Sequence, residues 1–123
     1  MKALIVDDSR AVRMIIGRTM KQLGFTVTEA GNGREALDAL KANGPFDVAL
    51  VDWNMPVMDG FEFLCIARGN PENRDMRIMM VTTETEMKQV MRALDAGASE
   101  YLMKPFSPEA IAEKMVLLGL KAA

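Results

Sequence analysis

Four apolar runs in this chain stop on side chains that can carry charge or offer a hydroxyl. Residues 3–6 are followed by Asp7-Asp8, residues 48–51 by Asp52, residues 78–81 by Thr82-Thr83, and residues 101–103 by Lys104-Pro105. Taken singly, each has an ordinary explanation: an aspartate after a strand is a turn former or a helix N-cap, and Asp8 could cap the segment that follows. Lys104 could equally be a solvated loop lysine, and Thr82 a strand residue. Brought to one place, however, three carboxylates repel one another and raise each other's pKa unless a cation lies between them. The donors are all oxygen, which suits a hard divalent ion, Mg²⁺ or Mn²⁺, that keeps several of its waters. A lysine beside such an ion points to an anion, such as a phosphoryl group, held between the two.

The elements that would gather these residues alternate strand and helix. After the run at 3–6 the period changes at Ser9: Val12, Ile15, Ile16, Thr19, Met20 and Leu23 recur at helical spacing. Arg10, Arg13, Arg18 and Lys21 lie off that stripe, and Gly24 stops it. A strand follows at 25–30, then a helix with Asn32 as N-cap and Gly44-Pro45 past its end. The third strand, at 46–52, ends in an unbroken apolar run, as expected when helices cover both faces of a sheet. Further cycles place a helix near 61–67, a strand at 77–82, a helix near 84–96, a strand at 100–103 and a helix near 108–120. Five such units with short connections predict right-handed crossovers and a doubly wound parallel α/β sheet. Ligands of such sheets sit outside the carboxyl ends of the strands, where Asp7, Asp8, Asp52, Thr82 and Lys104 would meet.

Composition narrows the function. With 123 residues, half of them hydrophobic, the chain has the size of one domain. Its 15 basic and 17 acidic residues are scattered and the net charge is −2, which argues against a nucleic-acid module. The chain has no histidine, so His-based triads and HExxH zinc sites are excluded. Cys65 stands alone, cannot form an internal disulfide, and is expected to be a buried small hydrophobe. The first apolar run is too short for a signal segment or a membrane span, so a cytoplasmic location is expected. Methionine is unusually common, at 12 residues. Met87, Val90, Met91 and Leu94 form a stripe on the fourth helix, expected to be mostly core, with the remainder an adaptable partner surface beside Tyr101 and Met103.

The stretches LIVDDSRAVR, VDWNMPVMDG, VTTE and AGASEYLMKPF stand in an order and at a spacing that resembles the receiver domain of bacterial response regulators. More narrowly, the chain is similar to the single-domain, CheY-like regulators of chemotaxis, and the resemblance takes in residues 1–123 as one receiver domain. It implies a flavodoxin-like five-stranded parallel sheet, order 2-1-3-4-5, with five helices. It further implies that Asp52 is the phosphoacceptor, a nucleophile toward a phosphohistidine on a histidine kinase or toward a small phosphodonor. By the same resemblance Asp8, Asp52 and the carbonyl of Asn54 would ligate Mg²⁺, Asp7 would act through a metal-bound water, and Lys104 would share the phosphoryl charge. Thr82, rather than its neighbour Thr83, would be the switch hydroxyl that moves toward the phosphoryl group, with Tyr101 turning into the space opened. Thr83 stands where the family usually has a small residue, and its branched side chain would narrow access to the site.

The resemblance also gives Asn54 and Glu84 control over hydrolysis, with a phosphorylated lifetime of seconds to minutes, in a signalling receiver that assists its own phosphorylation and dephosphorylation. Lys104-Pro105 would be cis. Pro56 and Gly60 would shape the loop after Asp52, Asp59 would be a turn or N-cap residue, and Trp53 would flank the metal pocket or lie across the loop. The expected output face is the fourth helix, fifth strand and fifth helix of a monomer. Expected partners are the kinase, a downstream target such as a flagellar motor switch, and a phosphatase, with no nucleic acid and no membrane. A phosphorelay intermediate and a receiver excised from a longer regulator are the alternatives within this reading. Other classes fit less well. GNGREA has the form of a dinucleotide fingerprint but follows the second strand and lacks the ribose-binding acid. Asp7-Asp8 would repel the phosphate of a flavodoxin cofactor, and DDSRA does not match the DxDx[TV] pattern of haloacid-dehalogenase phosphatases.

Overall fold

The computed structural model describes residues 1–83 and 88–120. Five parallel strands, β1 (Lys2–Val6), β2 (Thr26–Ala30), β3 (Val48–Asp52), β4 (Arg77–Thr82) and β5 (Glu100–Met103), form one sheet in the order β2-β1-β3-β4-β5. Among the described residues the connecting helices are α1 (Arg10–Gln22), α2 (Gly33–Asn43), α3 (Gly60–Gly69), α4 (Val90–Asp95) and α5 (Pro108–Leu117), with a short 3-10 turn at Pro71–Asn73. The architecture and strand order are those expected from the sequence.

The unbroken apolar runs are explained by the two layers they feed. Successive strand residues point to opposite faces, so each run splits between two cores. Leu4, Val6, Ala49, Val51, Ile78 and Met80 pack with Ala36 of α2, Phe63, Leu64 and Ala67 of α3 and Ala93 of α4. Ala3, Ile5, Val48, Leu50, Met79, Val81 and Leu102 pack on the other face with Ile16 and Met20 of α1 and Ile111 and Met115 of α5. Covered on both sides, the inner strands have no polar face to show, and a one-residue slip would exchange the two cores.

Local chemistry sets the helix starts. Ser9, Asn32, Asp59 and Ser107 each accept a backbone N–H from the first turn of α1, α2, α3 and α5. Asn32 accepts the Glu35 N–H at 2.9 Å and donates its side-chain amide back to Glu35 at 3.4 Å, while the other Glu35 carboxylate oxygen accepts the Gly31 N–H at 2.9 Å. At the far end of the chain α5 stops at Leu117, short of the expected 120. Gly119 takes φ 74° there, and the Leu120 N–H turns back to the Met115 carbonyl.

Two expectations need correcting. Ile15, placed on the buried stripe of α1, is 57% exposed, because the face that meets the sheet is centred on Ile16 and Met20. Cys65 is exposed rather than buried, on the outer side of a helix whose inner side is Phe63, Leu64 and Ala67. On α4, Val90 is buried but Met91 is 66% exposed, so half of that pair faces outward. Met87 and the expected start of this helix at 84 lie outside the described residues, and Lys88-Gln89 form a 3-10 turn leading into it.

Candidate functional site

The parallel sheet brings the carboxyl ends of β1, β3, β4 and β5 to one edge. β3 lies at the centre with β1 and β4 as its neighbours. Asp52 is the last residue of β3, and Asp7-Asp8 follow β1 directly. One carboxylate oxygen from each of Asp7, Asp8 and Asp52 lies within 4.8 Å of the others, with Asp7 and Asp52 buried and Asp8 exposed. Lys104, just past β5, is drawn in by its backbone N–H bonding to the Thr82 carbonyl at 2.7 Å. Its Nζ lies 2.8 Å from Asp52 Oδ1 and 3.6 Å from Asp7 Oδ2. The cation nearest the acidic cluster is thus the lysine's own ammonium.

The electrostatics follow from this crowding. Burial pushes the Asp52 carboxyl above its ordinary value; the Lys104 hydrogen bond opposes this, and the charges of Asp7 and Asp8 add to it. Burial alone would lower Lys104, but its hydrogen bond to Asp52 and the charges of Asp52 and Asp7 leave it raised. Asp7 Oδ2 is fully buried and accepts no hydrogen bond. A buried carboxylate oxygen without a donor, two further carboxylates at hand and no nitrogen or sulfur ligand together fit a hard divalent cation better than a settled hydrogen-bond network.

The β3–α3 loop closes over this edge. Trp53 donates its N–H to the Val81 carbonyl, and Gly60 donates to the Trp53 carbonyl. A Cβ at position 60 would collide with the Asp52 carbonyl oxygen, so glycine there lets α3 start against the end of β3. The Gly33 N–H, at the start of α2, bonds to the Met58 carbonyl at 3.0 Å. That donor, part of the GNGREA stretch, is therefore occupied by the chain itself. Trp53 is 4% exposed within the core on the α3 side of the sheet, its ring 5.7 Å from that of Phe61. Lys104-Pro105 is cis, as expected, and so is Gly44-Pro45.

Thr82 ends β4 beside Asp52, wholly buried, and its hydroxyl donates to the Thr83 carbonyl at 2.9 Å. Tyr101 lies on β5, half-buried, away from the carboxylates. Asn54 falls in the loop after β3, and Glu84 lies outside the described residues. Arg13 was read only as a polar residue off the helix stripe, yet its guanidinium donates to the Asp7 carbonyl at 2.6 Å and pairs with Glu29 at 3.0 Å. No local sequence mark singled it out, because its reach to Asp7 and Glu29 depends on how α1 sits against β2. A groove of about 500 Å³ between the ends of α2 and α3, lined by Leu37, Leu40, Ile66 and Asn70, lies away from this chemistry.

Comparison with known proteins agrees with the geometry. The family described as the response regulator receiver domain matches residues 3–116. The chemotaxis protein CheY1 of Helicobacter pylori is 42% identical over 121 residues, 97% of this chain and 98% of the relative. A chemotaxis protein CheY homolog of Campylobacter jejuni is 45% identical over 116 residues, 94% of this chain and 89% of the relative. Among solved structures, the chemotaxis protein CheY4 of Vibrio cholerae superposes with a TM-score of 0.88 at 38% identity, covering 95% of this chain and 97% of that one.

Proposed function

This chain belongs to the response regulator receiver domain family, and we propose that it is a phosphorylation-activated switch of a two-component system, acting in chemotaxis or motility, with residues 1–123 as one receiver unit. The observation that carries the reading is Asp52, buried at the end of β3, in contact with Lys104 and with a carboxylate oxygen within 4.8 Å of one from each of Asp7 and Asp8. In this mechanism a carboxylate oxygen of Asp52 bonds to phosphorus as the bond from phosphorus to the donor's imidazole nitrogen breaks. The imidazole departs with the electron pair, and Asp52 holds an acyl phosphate. Lys104 moves its charge from the carboxylate to the phosphoryl oxygens, and Asp7, anchored through its carbonyl by Arg13, keeps the cluster in place. Asp8, Asp52 and the Asn54 carbonyl would hold Mg²⁺ directly and Asp7 through water; when bound, the ion neutralises charge developing on the transferring group.

The output follows from Thr82. Its hydroxyl now serves the Thr83 carbonyl, and a phosphoryl oxygen on Asp52 offers a charged and stronger acceptor. Transfer of that hydrogen bond draws in the loop after β4 and favours inward rotation of Tyr101, a bias on a two-state equilibrium. The face of α4, β5 and α5 carries Met91, Met103, Val116 and Leu117 exposed, and it is the surface proposed to bind a downstream protein such as a flagellar switch. The phosphodonor is a histidine kinase, and Asn54 with Glu84 sets a lifetime of seconds to minutes. The working form is a cytoplasmic monomer; among the described residues no helix is long and apolar enough to cross a membrane.

The chain has one tryptophan, next to Asp52, so its fluorescence reports on the site. Adding Mg²⁺ and then acetyl phosphate or beryllofluoride should change Trp53 emission in two steps. Asp52→Asn should abolish the second. A wild-type protein without an Asp52-dependent response would refute the mechanism.

A further inference from the structure

Beside Tyr101, Met80, Val90, Ala93, Leu94 and Ala98 line a shallow apolar crease between the sheet and α4. The ring nevertheless stays half-buried at the edge of the sheet, where a cation meets it: Lys114 Nζ, one element away on α5, lies 4.7 Å from the ring centroid. That ammonium is itself fixed, 3.1 Å from Glu100 Oε1, and the same oxygen accepts the Tyr101 N–H at 3.0 Å. One carboxylate oxygen therefore holds both the backbone of the tyrosine and the cation that covers its ring. Lys114 and Glu100 are each only 23% exposed at the side chain, so the contact is partly shielded from water.

We propose that Lys114, positioned by Glu100, is a latch that holds Tyr101 at the sheet edge in the unphosphorylated protein and so opposes activation. The inference rests on the receiver reading and deepens it by naming what sets the resting bias. Inward rotation removes the ring from the ammonium, forfeiting the cation–π contact, and leaves Lys114 to Glu100 and solvent. A cation–π contact of this exposure corresponds to about a two- to five-fold change in an equilibrium constant. Because the fraction of competent molecules scales the apparent affinity of whatever binds the active form, the latch weakens binding of a phosphoryl mimic by the same factor.

The chain has one tyrosine, so 3-fluorotyrosine labelling gives a single ¹⁹F resonance that belongs to Tyr101. The wild type, Lys114→Met, Lys114→Arg and Glu100→Gln are compared in Mg²⁺, then titrated with beryllofluoride while Trp53 emission is followed. Lys114→Met should move the resting resonance toward the beryllofluoride-bound position and lower the titration midpoint about two- to five-fold. Loss of a positive charge acting through its field alone would weaken anion binding and raise the midpoint, the opposite sign. Lys114→Arg, which keeps a cation over the ring, should resemble the wild type, and Glu100→Gln should shift both readouts in the direction of Lys114→Met by less. An unchanged or raised midpoint in Lys114→Met, in a background where the wild type responds, overturns the latch alone. A wild type whose Trp53 emission ignores beryllofluoride overturns the receiver mechanism and the latch with it.

Discussion

At the scale of single residues, the site is built from groups the fold would not choose for stability. Burial raises the Asp52 carboxyl even after the stabilising contact with Lys104 is included, so the ionised form is disfavoured in the folded chain relative to the unfolded one. A group raised in this way contributes stability below its unfolded pKa and loses that contribution as pH rises through the folded value. At pH 7, without a divalent ion, ionised Asp52 therefore costs stability. Asp52→Asn should melt a few degrees higher than the wild type in metal-free buffer at pH 7, and the gap should close as pH falls below the ordinary carboxylate range. Thermal unfolding followed by circular dichroism checks both, and a variant less stable at pH 7 would contradict the assignment of strain to this carboxylate. Lys104, also raised, follows the same sign in a different pH range: its contribution is fully present through neutral pH and is lost as pH rises through the folded value in alkali.

At the scale of elements, the β3–α3 loop is where strain is stored. Val57 is a β-branched residue at φ 69° and is 80% exposed, so no side-chain packing offsets its left-handed backbone. Relief of that conformation is worth roughly 1–2 kcal/mol, reduced by roughly 0.5–1 kcal/mol for the added freedom of an unfolded glycine. Val57→Gly should therefore stabilise the protein by up to about 1.5 kcal/mol, seen as a higher urea midpoint at unchanged slope. A lowered midpoint would show that the loop gains more from the valine than its exposure suggests. The same loop marks the limit of what sequence could tell. Asn32 and Asp59 announced their helices because capping needs only a side-chain acceptor at the right spacing. The positive φ of Val57 carries no such local mark, since valine is among the residues least suited to it. Ile15 was misplaced because helical period locates a stripe whose centre depends on which neighbouring element arrives, and Cys65 because its residue type, not its place on α3, was read as buried.

At the scale of the whole molecule, a well-covered sheet carries a rim of like charge. The parallel sheet was legible from the apolar runs of its inner strands and its short connections, and its order from the resemblance to receiver domains; the edge strands β2 and β5 keep exposed residues. The convergence of Asp7, Asp8, Asp52 and Lys104 followed from that order alone, since parallel strands must all end at one edge. Arg13 and the Glu100-Lys114 pair were not legible, because they depend on where long side chains reach across elements. The rim has a global thermodynamic consequence. The three carboxylates gather only in the folded chain, so a divalent ion that binds there stabilises the native state through mass action. Saturation to a hundred-fold excess over the dissociation constant corresponds to about 2.7 kcal/mol, and for a chain of this size each kcal/mol moves the melting temperature by roughly 3–6 °C. The wild type should therefore melt progressively higher as Mg²⁺ is raised and return to its starting value when the metal is chelated. Asp7→Ala and Asp52→Asn should each flatten that dependence, whereas Lys114→Met, remote from the carboxylates, should preserve it. A melting temperature indifferent to Mg²⁺ in the wild type would mean that the Lys104 ammonium is cation enough for the cluster, and that the rim does not recruit a metal.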